Sequence, residues 1–227
     1  MSLILALVAL FWGVDQGRAA TGPNVGVNYN VPNFAYSPPL RKFVDSLPGL
    51  GAANNLGQQI PIAVPSAPPA GVPTDGDYYE IALVEYREQM HSDLPPVVGT
   101  WPNQTGGTKL RGYVQENNGV MIGTPHYLGP LILATKGKPV RIKFTNRLPI
   151  GTGGNLFLPV DTTIMGAGMG PLFPDGTPCD PNTQACALYT QNRATLHLHG
   201  GLPGWISDGT AHQWITPAGC PPSHNPA

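Results

Sequence analysis

The sequence predicts an all-β fold, a loop-rich antiparallel β-sandwich with Greek-key connections. Three observations point there. Short apolar or alternating runs recur from Asp77 onward, and most are bounded by Gly or Pro. No long amphipathic helical pattern and no internal repeat interrupts them. Glycine and proline number 29 and 27 of 227 residues, a share that alone would suit a disordered chain, but 41% of residues are hydrophobic.

Charge excludes some partners. Charged residues are 11% of the chain and the formal net charge is -1. There is no basic field to attract nucleic acid and no acidic tail. Residues 1–20 read as a signal peptide. Leu3 to Trp12 is an apolar run too short to span a bilayer, and Gly17-Arg18-Ala19-Ala20 offers small residues for cleavage. The expectation is an exported protein, periplasmic or extracellular, with no membrane attachment after cleavage. Export permits disulfides. Cys179 and Cys186 could close a small ring, which leaves Cys220 as the odd one.

Residues 21–76 read as an extended arm or linker. Thr21 to Asp75 holds ten Pro, six Gly and six Asn with four charges, too little apolar density for a core of its own. A short helix over Pro39 to Leu47 is possible, with Leu40, Phe43, Val44 and Leu47 at helical spacing. Residues 77–227 form the domain proper. Tyr78 to Tyr86 is a strand candidate with helix as its alternative, and Leu110 to Gln115 is a second. Gly129 to Ala134 is a third. Val140, Ile142 and Phe144 then alternate with Arg141, Lys143 and Thr145 in the cleanest half-buried pattern of the chain. Asn155 to Val160 and His212 to Thr216 are further short candidates, separated by a Gly/Met/Pro-rich loop over Met165 to Asn182 and by the stretch that carries the chemistry.

That stretch is Ala194-Thr195-Leu196-His197-Leu198-His199-Gly200-Gly201, followed by Trp205-Ile206-Ser207-Asp208-Gly209. As a strand it places His197 and His199 on one face, about 6.5 Å apart along the chain, and Leu196 and Leu198 on the core face. Two imidazoles on one rigid face could serve two neighbouring metal ions. Imidazole suits copper(II), and zinc as well. His-x-His alone is a weak signal, and surface or core histidines are its ordinary reading. Asp208 by itself is explained as a turn residue before Gly209. Trp205 and Trp214 read as packing residues beside the His stretch. His91, His126 and His212 read as surface or hydrogen-bonded histidines. Cys220 and His224 resemble a blue-copper loop only superficially.

His197-Leu198-His199-Gly200-Gly201, Trp205-x-Ser207-Asp208-Gly209 and Gln213-Trp214 together resemble the first copper-binding motif of the multicopper oxidases. The likeness is greatest to the bacterial bilirubin-oxidase and spore-coat-laccase-like branch. Tyr78 to Tyr86, Pro139 to Leu148 and Leu156 to Asp161 resemble that branch's preceding blocks, so the resemblance covers Asp77 to Gly219. It implies a cupredoxin-like (plastocyanin-like) domain. It implies that His197 is a ligand of the type 2 copper and His199 of a type 3 copper. Asp208 is implied as the acid that helps deliver protons to reduced oxygen. The implied activity is one-electron oxidation of a reducing substrate coupled to reduction of dioxygen to water.

The family's later His-x-His motifs and its His-Cys-His motif do not occur in these 227 residues, and neither does a type 1 copper site. The expectation is therefore the truncated N-terminal cupredoxin-like domain of such an enzyme, inactive alone and completed by further cupredoxin domains. Two competing readings remain: a non-catalytic copper-binding cupredoxin module, and a structural β-sandwich that binds no metal.

Overall fold

Asp77 to Glu88 forms the centre of the sheet. The computed structural model describes residues 40–164, 166–170, 172–173, 177–180, 186–201, 204 and 214–220. The signal-peptide segment, Trp205, Asp208, His212 and His224 lie outside these residues. The chain divides into two units, Met1–Val44 and Asp45–Ala227. Every strand among the described residues belongs to the second. Of the first unit only residues 40–44 are described; Phe43 there has φ 59 and is fully exposed. The helix over Pro39 to Leu47 does not form among the described residues. Leu40, Phe43, Val44 and Leu47 are all exposed, so no apolar stripe is buried to stabilise one.

In the second unit the strands are β1 (Asp77–Glu88), β2 (Val97–Val98), β3 (Thr105–Gly106), β4 (Thr108–Asn117), β5 (Val120–Ile122) and β6 (Val140–Asn146). One 3-10 turn, Gly151–Gly154, is the only helix among the described residues. The main sheet runs β5-β4-β1-β6, and β2 pairs with β3 separately. This nearly all-β architecture is consistent with a cupredoxin-like sandwich. Contrary to the expectation of a purely antiparallel sheet, β1 and β6 are parallel, with Asp77 opposite Val140 and Leu83 opposite Asn146. The crossover between them carries β2 to β5 and the loop that follows, long enough to bring the chain back to the free side of β1 in the same direction.

Burial follows from β1's central place. Ala82, Val84 and Tyr86 point to one face and pack with Val114, joined by Trp101, Leu110 and Met121. Tyr79 and Ile81 point to the other and pack with Ala63, Ile132, Val140 and Phe144. Alternate residues of one strand thus feed two cores, and the sequence alternation of β1 does not translate into a solvent face. Burial also pushes the Tyr86 phenol above its ordinary pKa. β6 is an edge strand, which leaves Ile142 exposed despite its pattern.

The segment before β1 is tied to this sheet. Ser66 N donates to Tyr78 O at 2.8 Å, and Ala63 N to Leu131 O at 2.9 Å. Val64 N donates to Gln115 Oε1 at 3.0 Å, while Gln115 Nε2 returns a bond to Val64 O. That side-chain amide stands in for a neighbouring strand's peptide group. Two expected strands are reduced. Gly129 to Ala134 contributes only the Ile62–Leu131 bridge, and Asn155 to Val160 forms bends and coil. Pro130 and Pro159 lack the N–H that a ladder needs. Cys179 and Cys186 form the small ring, and Cys220 is a free thiol.

Candidate metal centre

The segment that leads to the two histidines is anchored by buried polar side chains. Asn146, the last residue of β6, is buried and donates from Nδ2 to Asn192 O at 2.7 Å and to Ile215 O at 3.1 Å. Its Oδ1 accepts from Leu148 N, an Asx turn that ends the strand. Asn192 is 0% exposed; its Nδ2 donates to Pro149 O at 2.7 Å and its Oδ1 accepts from Thr190 Oγ1 at 2.6 Å. Gly154 leaves the room for this: a Cβ there would lie 2.2 Å from Pro149 O and 2.8 Å from Asn192 Nδ2. Arg111, from β4, donates to Gln191 O at 2.8 Å and to Gly154 O at 2.9 Å. Satisfied buried networks of this kind fix backbone position closely.

Arg193 continues the series. Its guanidinium lies 4.6 Å from the ring centroids of both Tyr189 and Trp214. Those two rings meet edge to face at 5.3 Å. Its Nε donates to Thr190 O and its Nη2 to Gly166 O. Burial pulls the Arg193 pKa below its ordinary value, with the Tyr189 phenol acting in the opposite sense. Ala194 and Ile215 then exchange both backbone bonds, at 3.0 and 2.8 Å.

Regular pairing stops there. The expected strand over Ala194 to Gly201 is a single bridge at Ala194, followed by irregular chain and a turn at His199 and Gly200. A strand persists only where a neighbour takes its backbone groups, and among the described residues none does so beyond Ala194. Leu196 and Leu198 are correspondingly 41% and 63% exposed, not core. His197 and His199 are both exposed. Among the described residues neither imidazole has a hydrogen-bond or ion-pair partner, so their ring nitrogens are available as donors. Gly200 has φ 77 with open space where a Cβ would stand; it serves the turn and not a close approach.

The other described histidines are engaged elsewhere. His126 Nδ1 pairs with the buried Glu88 carboxylate at 2.7 Å, and His91 Nδ1 accepts from Asp93 N at 2.9 Å. Cys220 Sγ lies 3.6 Å from Asn192 Nδ2. Among the described residues no group of three or more His, Cys, Asp or Glu could hold a metal. The donor chemistry of His197 and His199 fits copper as two ligands of a larger set. Asn146, Asn192 and Arg193 were not singled out from the sequence. The one available signal was Asn146, a turn-forming residue that ends an alternating strand.

No family model matches the chain. Curated relatives do. A laccase of Haloferax volcanii is 27% identical over 208 residues, 91% of this chain and 27% of the relative. A laccase of Bacillus stratosphericus is 31% identical over 177 residues, 78% of this chain and 24% of the relative. The chain is a distant relative of the laccases. The Bacillus subtilis laccase agrees, at 29% identity over the same share of the chain. This is a multicopper-oxidase-like relationship, and the chain spans about a quarter of the length of the relatives it matches. Among the described residues no helix is long and apolar enough to cross a membrane.

Proposed function

We propose that this chain is a copper-binding N-terminal portion of an exported multicopper oxidase, with residues 77–227 as its first cupredoxin-like domain. The single observation that carries the reading is the pair of exposed imidazoles, without a partner among the described residues, at the end of an anchored segment in a chain related to laccases. His197 and His199 would each hold a different copper ion, and Asp208 would move protons toward reduced oxygen. Copper, when bound, supplies one-electron chemistry toward dioxygen and a reducing substrate. The chain's own residues contribute the rest: Asn146, Asn192 and Arg111 hold the approach to the ligands, and the exposed histidines present nitrogen donors. Further cupredoxin domains would supply the remaining ligands and the entry point for electrons. A second reading, a copper-binding module without catalysis, is favoured by the absence of a third ligand among the described residues.

The proposal predicts that copper-loaded 1–227, given a phenolic donor in an oxygen electrode, consumes no oxygen beyond free copper at the same concentration. Saturable, oxygen-coupled turnover by this chain alone would overturn the claim that it holds only part of the site.

A further inference from the structure

We propose that Arg193 is a positioning residue for the histidine segment, acting through its packing on the Tyr189–Trp214 ring pair. The metal arm of the test rests on the copper reading above; the positioning claim does not. Three features carry it. The guanidinium lies 4.6 Å from each ring centroid, so it packs against the edge-to-face Tyr189–Trp214 pair as a unit. Its two directed bonds, Nε to Thr190 O at 2.8 Å and Nη2 to Gly166 O at 2.7 Å, draw the Gly166 loop and the Thr190 turn to one point. Trp214 adjoins Ile215, whose backbone bonds to Ala194 are, among the described residues, the last regular tie before the histidines.

The direction in which residues 195–199 leave the body is therefore set at Arg193 and Ala194. His197 lies three residues beyond Ala194, with no further pairing among the described residues to correct an error in direction. A lysine could keep the charge but could not reproduce the planar fork, with its two directed bonds, and the ring contacts together.

The test compares the full chain with R193Q and R193K. The first readout needs no metal: backbone order parameters by nitrogen-15 relaxation. In wild type, residues 195–199 hold the values of ordered backbone. In R193Q they fall below about 0.6, the range of flexible chain, while β1 and β4 stay unchanged. R193K falls in the same direction and by less, and it serves as the test if R193Q does not fold. The second readout is copper(II) affinity, expected to weaken by about tenfold in R193Q, as for groups that orient ligands from behind. Unchanged order over 195–199 in the folded variant overturns the proposal. So does a loss of order shared equally by β1 and β4, which would mark a general packing role. Wild type that binds no copper removes the copper reading, and the order parameters still decide the positioning claim.

Discussion

Replacing Arg147 by Met is expected to lower the stability of the second unit by about 3 kcal/mol, the low end of what a stranded buried charge costs because Arg147 is itself partly exposed. Glu116 on β4 is 1% exposed and lies directly opposite Glu80 on β1. Like charges in cross-strand register repel, and here both are buried. Each carboxylate is compensated from a different direction. Arg147 Nη2 donates to Glu116 Oε2 at 3.1 Å, with Nε against Oε1. Lys143 Nζ lies 3.5 Å from Glu80 Oε2, and the Tyr78 hydroxyl donates to Oε1. Removing Arg147 leaves the Glu116 carboxylate buried, unpaired and beside a second carboxylate. Thermal unfolding should shift down by roughly 6–12 °C for a unit of this size. Adding Glu116→Gln should restore at least half of the loss, because the double variant has no charge left to strand. A loss under about 1 kcal/mol, or no rescue, would mean that water reaches Glu116.

The paired variant His197→Ala, His199→Ala is expected to lose copper(II) affinity by more than about 100-fold, since removing even an outer partner of a ligand costs 10–100-fold. Each single variant should lose less than the pair. His91→Ala is the control: its imidazole already accepts from Asp93 N, and its loss should leave copper affinity unchanged. Titration with a competing chelator separates these outcomes. Equal affinity in wild type and the paired variant would favour a sandwich whose histidines bind nothing.

How much of this was legible depended on how local each feature is. β1, β4 and β6 are long runs with strand-forming residues, and each appears where the sequence pattern puts it. β2 and β3 have two residues apiece and leave no periodic trace. The parallel pairing of β1 with β6 was not legible either, because direction is set by the path of the crossover and not by side-chain alternation. The histidine segment shows the limit most sharply. Its alternation of Leu and His satisfies the strand pattern, yet a strand also needs a neighbour for its backbone, and only Ala194 has one among the described residues. The two imidazoles were recognisable as donors from residue type and spacing. Their support was not: Asn146 reaches residues 46 and 69 positions away, a proximity that exists only once the chain has folded.

The most direct measurement of the central claim is pulsed electron paramagnetic resonance of the copper(II)-loaded chain. Imidazole nitrogen coupling is expected, one nitrogen per copper, reduced in His197→Ala and in His199→Ala and absent in the paired variant. Two imidazole nitrogens on a single copper would instead mark a simple binding module. Coupling that survives the loss of both histidines, or no imidazole coupling at all, would contradict the assignment of His197 and His199 as copper ligands.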